Sequence, residues 1–122
     1  MVVDDQKDIV TVTKEGLELR GFAVDGFSDP QAALEYFKAD YYDLVITDIK
    51  MPKIDGFDLY RELKKKDEKI KIAFLTALEI YESEFNKVFK NTPTTLIIKK
   101  PIRVSELAEK VKVLVKSKVN SS

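Results

Sequence analysis

Four short apolar runs in this chain each end on a side chain that can do chemistry. Val2-Val3 is followed by Asp4-Asp5, and Leu44-Val45-Ile46-Thr47 by Asp48. Ile70 to Leu75 is followed by Thr76, and Thr95-Leu96-Ile97-Ile98 by Lys99-Lys100-Pro101. If the runs are parallel strands of one sheet, their polar ends converge at one edge. Three carboxylates so placed repel one another, and a hard divalent cation relieves that repulsion. Oxygen ligands alone suit Mg²⁺ (or Mn²⁺), which keeps some water and leaves positions for phosphate oxygens. A threonine hydroxyl and a lysine ammonium can hold two oxygens of a transferring phosphoryl group. The central carboxylate, Asp48, is then a competent nucleophile, since aspartyl phosphates form in this way. Singly, each residue has a plainer reading: a solvated acidic turn, a helix cap at Asp48 or Thr76, a surface lysine. Together and in order, those plainer readings need four coincidences.

Composition narrows the chemistry further. The 122 residues include no cysteine and no histidine, with 21 basic and 21 acidic side chains and 44% apolar residues. Disulfides, thiolate metal sites, Ser-His-Asp triads and phosphohistidine chemistry on this chain are excluded. Zero formal net charge argues against bulk nucleic-acid binding, and no direct nucleic-acid partner is expected. No apolar run approaches the roughly 20 residues of a membrane span. No membrane association is expected, and a cytoplasmic location is. The length suits one domain able to bury about two-thirds of its unfolded surface. That domain is expected over 1–118, with 119–122 as a flexible tail.

The elements that must position these groups alternate. A strand stub at Met1-Val2-Val3 is followed by a helix over Asp8 to Arg20, with Gly21 as C-cap. Ile9, Val12, Leu17 and Leu19 form its expected apolar face, with Gly16. Phe22 to Phe27 reads as a strand. Ser28-Asp29-Pro30 starts a helix to about Ala39, with Ala32, Ala33, Tyr36 and Phe37 as its apolar face. Leu44 to Thr47 is continuously apolar, as a strand covered on both sides should be. A loop of turn residues over Met51 to Gly56 leads to a helix from Phe57 to Lys66, with Leu59, Tyr60 and Leu63 inward. A strand follows over Ile70 to Leu75, then a helix over Ile80 to Phe89, broken by Asn91-Thr92-Pro93. The fifth strand covers Thr95 to Ile98. Val104, Leu107, Ala108, Val111, Leu114 and Val115 mark a final amphipathic helix. The fold class is α/β: a (βα)₅ doubly wound, five-stranded parallel sheet of flavodoxin-like type with helices on both faces. Ligands of such sheets bind beyond the carboxyl ends of the strands, at a switch point in strand order.

With these residues in place, the chain resembles the receiver domains of two-component response regulators, in the manner of a single-domain chemotaxis regulator. The resemblance rests on Val2-Val3-Asp4-Asp5, on Leu44 to Pro52 with Asp55-Gly56, on Leu75-Thr76-Ala77 and on Lys99-Lys100-Pro101. It spans residues 2 to about 117. It implies that Asp48 takes a phosphoryl group from a phosphohistidine in a Mg²⁺-dependent reaction. Asp5 matches the direct metal ligand, Asp4 its acidic neighbour acting through water, and the backbone carbonyl of Lys50 the third protein ligand. Thr76 and Lys100 match the hydroxyl and ammonium that hold the phosphoryl group. Pro101 matches a proline after a cis peptide, and Gly56 the glycine of the loop after the acceptor strand. The implied partners are a sensor histidine kinase or phosphotransfer protein and a downstream effector protein, with a homodimer also compatible. Such a domain is not a conventional enzyme, although it catalyses its own phosphorylation and dephosphorylation.

Three departures from the family pattern stand out. The first strand has little sequence ahead of Val2-Val3. The strand-five position that usually carries Tyr or Phe holds Ile97, so the usual switch coupled to Thr76 is in question. Asn91-Thr92-Pro93-Thr94 replaces the Gly-Ala usual before strand five. Two other readings stay open. One is a pseudo-receiver that binds partners without phosphorylation. The other is an aspartyl-phosphate hydrolase of the haloacid-dehalogenase kind, disfavoured because Lys50 stands where its acid/base aspartate belongs.

Overall fold

A computed structural model describes residues 1–77 and 95–116. Its strands are β1 (Val2–Val3), β2 (Gly26–Phe27), β3 (Leu44–Thr47), β4 (Lys71–Thr76) and β5 (Thr95–Lys99). Its helices are α1 (Lys7–Glu18), α2 (Pro30–Tyr36), α3 (Gly56–Lys66) and α4 (Val104–Lys116). All four strand pairings are parallel, in the order β2-β1-β3-β4-β5. The expected doubly wound sheet is therefore present. The helix expected over Ile80 to Phe89 and the break at Asn91-Thr92-Pro93 lie outside the described residues.

Alternation along the strands assigns each side chain to a face. Val3, Val45, Ile72 and Phe74 point to the side covered by Ala33, Leu59 and Leu63 of α2 and α3. Val2, Leu44, Ile46, Ala73 and Leu75 point to the side covered by Leu17 of α1 and Leu107, Ala108 and Val111 of α4. Each large apolar side chain buried this way contributes about 1.5–3 kcal/mol. β3 and β4 are buried along their whole length, which is why they read as unbroken apolar runs.

Several element boundaries differ from expectation. β2 is two residues long rather than Phe22 to Phe27, because β1 offers only two residues to pair with it. α2 ends at Tyr36 rather than Ala39: Phe37 turns into extended backbone and Asp40 adopts φ 62°. Tyr36 is exposed, whereas Ala33 and Phe37 are buried as expected. The inward face of α1 is Val10, Thr13 and Leu17. Val12 and Leu19, expected inside, are 58% and 85% exposed. The run Ile9 to Thr13 is β-branched on every side, so apolarity alone does not select the face. Gly21 sits at φ 95°, with the Phe22 N–H donating to the Leu17 carbonyl around it, as in a glycine-terminated helix. Asp29 caps α2 through the Gln31 N–H, with Pro30 in the first turn.

Lys71 opens β4 with its side chain buried. Its Nζ donates to the carbonyls of Leu114 (2.8 Å) and Val115 (3.2 Å), which fixes the end of α4 to the sheet. At the other end of the α1–α4 contact, a Cβ on Gly16 would collide with the Val104 side chain. Alanine at Gly16 gains about 1 kcal/mol of helix propensity, whereas overpacking costs about 1–3 kcal/mol. Gly16→Ala is therefore expected to lower stability in urea unfolding. In the Gly16→Ala/Val104→Ala pair, the combined loss should be smaller than the sum of the single losses, and simple additivity would show that the contact does not control this site.

Candidate functional site

Strand order reverses at β1, which lies between β2 and β3. The carboxyl ends of β1 and β3 thus flank the switch point, where a doubly wound sheet opens a crevice. Asp4 and Asp5 follow β1, and Asp48 follows β3. One carboxylate oxygen from each of the three lies within 4.8 Å of the others. Asp4 is buried, Asp48 half-buried and Asp5 exposed.

Local backbone fixes each carboxylate. Asp4 Oδ1 accepts from the Gln6 N–H (3.0 Å), at the start of α1. Asp48 Oδ1 accepts from the Ile49 N–H (2.7 Å). The loop after β3 folds back on Asp48: the Gly56 N–H donates to the Ile49 carbonyl at 2.6 Å, and a Cβ on Gly56 would strike the Asp48 carbonyl. Only glycine permits that approach. Asp55 caps α3 by accepting from the Asp58 N–H (2.8 Å), and Lys53 takes φ 71° in the turn between. Lys50 is exposed in this loop, two residues beyond Asp48.

Thr76 ends β4, fully buried, and its carbonyl accepts from the Lys100 N–H (2.9 Å). Lys100 follows β5, with a cis peptide joining it to Pro101 as the family resemblance implied. Its Nζ reaches across β4 and β3 to Asp4 Oδ2 (2.8 Å) and approaches Asp48 Oδ2 (3.4 Å). Its main partner is therefore the buried Asp4, a pairing 96 residues apart in sequence that no local pattern could signal. Gln6 was likewise missed, because its contribution is a backbone N–H. Ile97 pairs with Phe74 across the ladder and packs against the α2–α3 core.

Burial pushes the Asp4 carboxyl above the usual carboxylate range, while the Lys100 hydrogen bond pulls it back. Burial also depresses the Lys100 ammonium, but its bonds to Asp4 and its proximity to Asp48 outweigh this and raise it overall. Three carboxylates face one lysine, so the cluster carries excess negative charge. It is an oxygen-only donor set of the kind a hard divalent cation takes.

This charge imbalance has a stability cost in the absence of a cation. Asp48→Asn keeps an oxygen for the Ile49 N–H and leaves the Asp4–Lys100 pair intact. It should raise stability without divalent cation by about 1 kcal/mol. The stabilisation by added Mg²⁺ should shrink in the same variant, as read by thermal unfolding with and without EDTA. An unchanged melting temperature would show that repulsion among the three is already screened.

Comparison with known proteins agrees with this geometry. The response regulator receiver domain model matches residues 1–112. The chain is 35% identical over 88 residues to the alkaline phosphatase synthesis transcriptional regulatory protein of Bacillus subtilis, covering 72% of this chain and 35% of that protein. It is 33% identical over 112 residues to the aerobic respiration control sensor protein of Escherichia coli, covering 92% of this chain and 14% of that sensor. The chain thus spans about a third or less of these two relatives. A response regulator of Thermotoga maritima, solved in complex with Mg²⁺ and BeF, superposes with a TM-score of 0.77 at 37% identity, covering 93% of this chain and 95% of that one. With its switch-point carboxylates, its cross-sheet lysine and its parallel five-stranded sheet, the chain belongs to the response regulator receiver domains, the phosphoacceptor modules of two-component signal transduction.

Proposed function

We propose that Asp48 is the phosphoacceptor of this receiver and that the side chains around it divide the remaining work. The carrying observation is the three-carboxylate cluster with Lys100 spanning two of its members. Asp5, Asp4 and Asp48, with the Lys50 carbonyl, are the residues that would hold Mg²⁺ (Mn²⁺ as a substitute). A divalent ion there would neutralise charge on the phosphoryl oxygens and orient them. The solved Thermotoga relative, described in complex with Mg²⁺ and BeF, supports this choice of ion.

An Asp48 carboxylate oxygen forms the new P–O bond as the P–N bond to a partner's phosphohistidine breaks, and the electron pair stays with the imidazole nitrogen. Lys100, already desolvated, shifts from Asp48 Oδ2 to an oxygen of the arriving phosphoryl group while its backbone stays fixed to Thr76. The Thr76 hydroxyl binds another. Little covalent chemistry is left to the protein beyond this positioning and charge neutralisation. The phosphoryl donor is a sensor histidine kinase or a phosphotransfer protein, and the product is read by a downstream effector protein. Ile97 has no ring to swing inward, so output runs through a coupling other than the aromatic one of the family.

Intact mass after incubation with acetyl phosphate tests the assignment. One labile phosphoryl group per chain is expected, requiring Mg²⁺ and absent in Asp48→Asn. Repeated turnover of acetyl phosphate without accumulation would indicate a hydrolase. No adduct, and no uptake of beryllofluoride, would leave a binding module. Lys50 is exposed two residues beyond Asp48, where side chains of this family modulate access of the hydrolytic water, so Lys50→Ala and Lys50→Glu should change the dephosphorylation rate; lifetimes unchanged from wild type in both would remove it from that role.

A further inference from the structure

The connection from α2 to β3 carries a surface that the carboxylate site does not use. Tyr41 lies ahead of β3 and Asp48 beyond it, so the length of the strand separates them. α2 ends early at Tyr36, and the chain turns through Asp40 at φ 62°. Tyr36 and Tyr41 are left 51% and 63% exposed. Each is braced from behind. The Tyr36 ring packs on Phe27, with centroids 5.2 Å apart, and the Tyr41 ring meets Tyr42 edge-on at 4.8 Å. Tyr42 in turn stacks on Phe37 and donates from Oη to Asp25 Oδ2 (2.7 Å). The Asp40 N–H donates to Asp67 Oδ2 (3.0 Å), which pins the turn between the two exposed rings.

A single exposed tyrosine needs no explanation. Here both rings converge on one ammonium: Lys38 Nζ lies 6.0 Å from the Tyr36 centroid and 5.8 Å from the Tyr41 centroid. Those distances are at the outer limit of cation–π attraction, so the chain's own lysine fills the position loosely. The local charge calls for more cation than Lys38 supplies. Between residues 35 and 43, three exposed carboxylates, Glu35, Asp40 and Asp43, accompany that one lysine. Lys66 of α3 is engaged elsewhere, donating to the Leu34 carbonyl (2.8 Å). A guanidinium suits such a place better than an ammonium. It lies flat on an aromatic face and still presents N–H groups to carboxylates at its edge. Tyrosine and arginine are also residues that anchor protein interfaces.

We propose that Tyr36 and Tyr41, with Glu35, Asp40 and Asp43, form a docking surface for an arginine-bearing basic segment of a partner protein. Lys38 is its internal competitor: an incoming guanidinium displaces the lysine from between the rings. The braced rings lose little conformational freedom on binding, which favours association. The surface takes no part in holding a cation or a phosphoryl group at the strand ends, so it works whether or not Asp48 is the acceptor.

The test titrates the chain with an N-acetylated arginine–glycine repeat peptide, in excess Mg²⁺ so that the switch-point carboxylates do not compete for it. NMR follows the ring signals of Tyr36 and Tyr41, and the same peptide with citrulline in place of arginine is the control. Saturable binding that shifts both rings is expected with arginine and not with citrulline. Tyr36→Leu and Tyr41→Leu should each weaken it about three- to fivefold, the value of an exposed cation–π contact. Lys38→Met, at an exposed position, should strengthen it about threefold by removing the competitor. Lys112→Met makes the same charge change on α4 and should leave the affinity unchanged. No saturable binding, equal binding of the citrulline peptide, or affinity unmoved by the tyrosine variants would overturn the proposal. So would equal effects of Lys38→Met and Lys112→Met, which would reduce the competitor to bulk charge. Self-association of the chain without peptide, abolished by Tyr41→Leu, would make a second copy the occupant and overturn the assignment to a partner.

Discussion

Three carboxylates held at one sheet edge against a single lysine set the terms for this molecule. Left in water, such groups would separate, and the chain must supply the work that prevents it. Part comes from backbone donors: the N–H groups of Gln6 and Ile49 each hold one oxygen of Asp4 and Asp48. Part comes from Lys100, whose reach to Asp4 spans the sheet from its β5 edge. The rest is the buried sheet itself, since β3 and β4 pack on both faces and do not yield. A ground state with excess negative charge is poised to gain from a divalent cation, which links its electrostatics to the site.

The loop after β3 shows how tightly backbone and chemistry are joined. Gly56 meets the Asp48 carbonyl so closely that any side chain would displace the end of β3 or the start of α3. Asp55 caps the helix one residue earlier, and the Ile49 carbonyl accepts from Gly56. Asp48 is thereby clamped between β3 and α3. At the remote end of α3, Asp67 does similar work, accepting from the N–H groups of Asp40 and Lys69 and tying the α2–β3 connection to the β4 approach.

What the sequence could reveal follows from the range of each interaction. The fold class and the strand-end residues were legible because burial on both faces makes strands continuously apolar, and each run stops at its polar residue. Caps at Asp29 and Gly21 were legible because they act over two to five residues. The face of α1 was not, since Thr13 goes inside while Val12 and Leu19 stay out, a choice made by the neighbouring α4 and sheet rather than by the helix. The length of β2 depended on how much of β1 was there to pair. The Lys100–Asp4 pair and the Lys71 contacts to α4 join residues 96 and more than 40 apart, beyond any local pattern.

β1 ties the two ends of the sheet together. It is only two residues long, yet it is the central lane between β2 and β3, and its alternating bonds hold both. At its carboxyl end, three carboxylates are gathered whose excess negative charge a divalent cation can balance. A shift of β1 along the ladder by one residue would exchange the faces of Val2 and Val3 and move Asp4 away from both Lys100 and Asp48. So short a strand has few bonds to resist that shift.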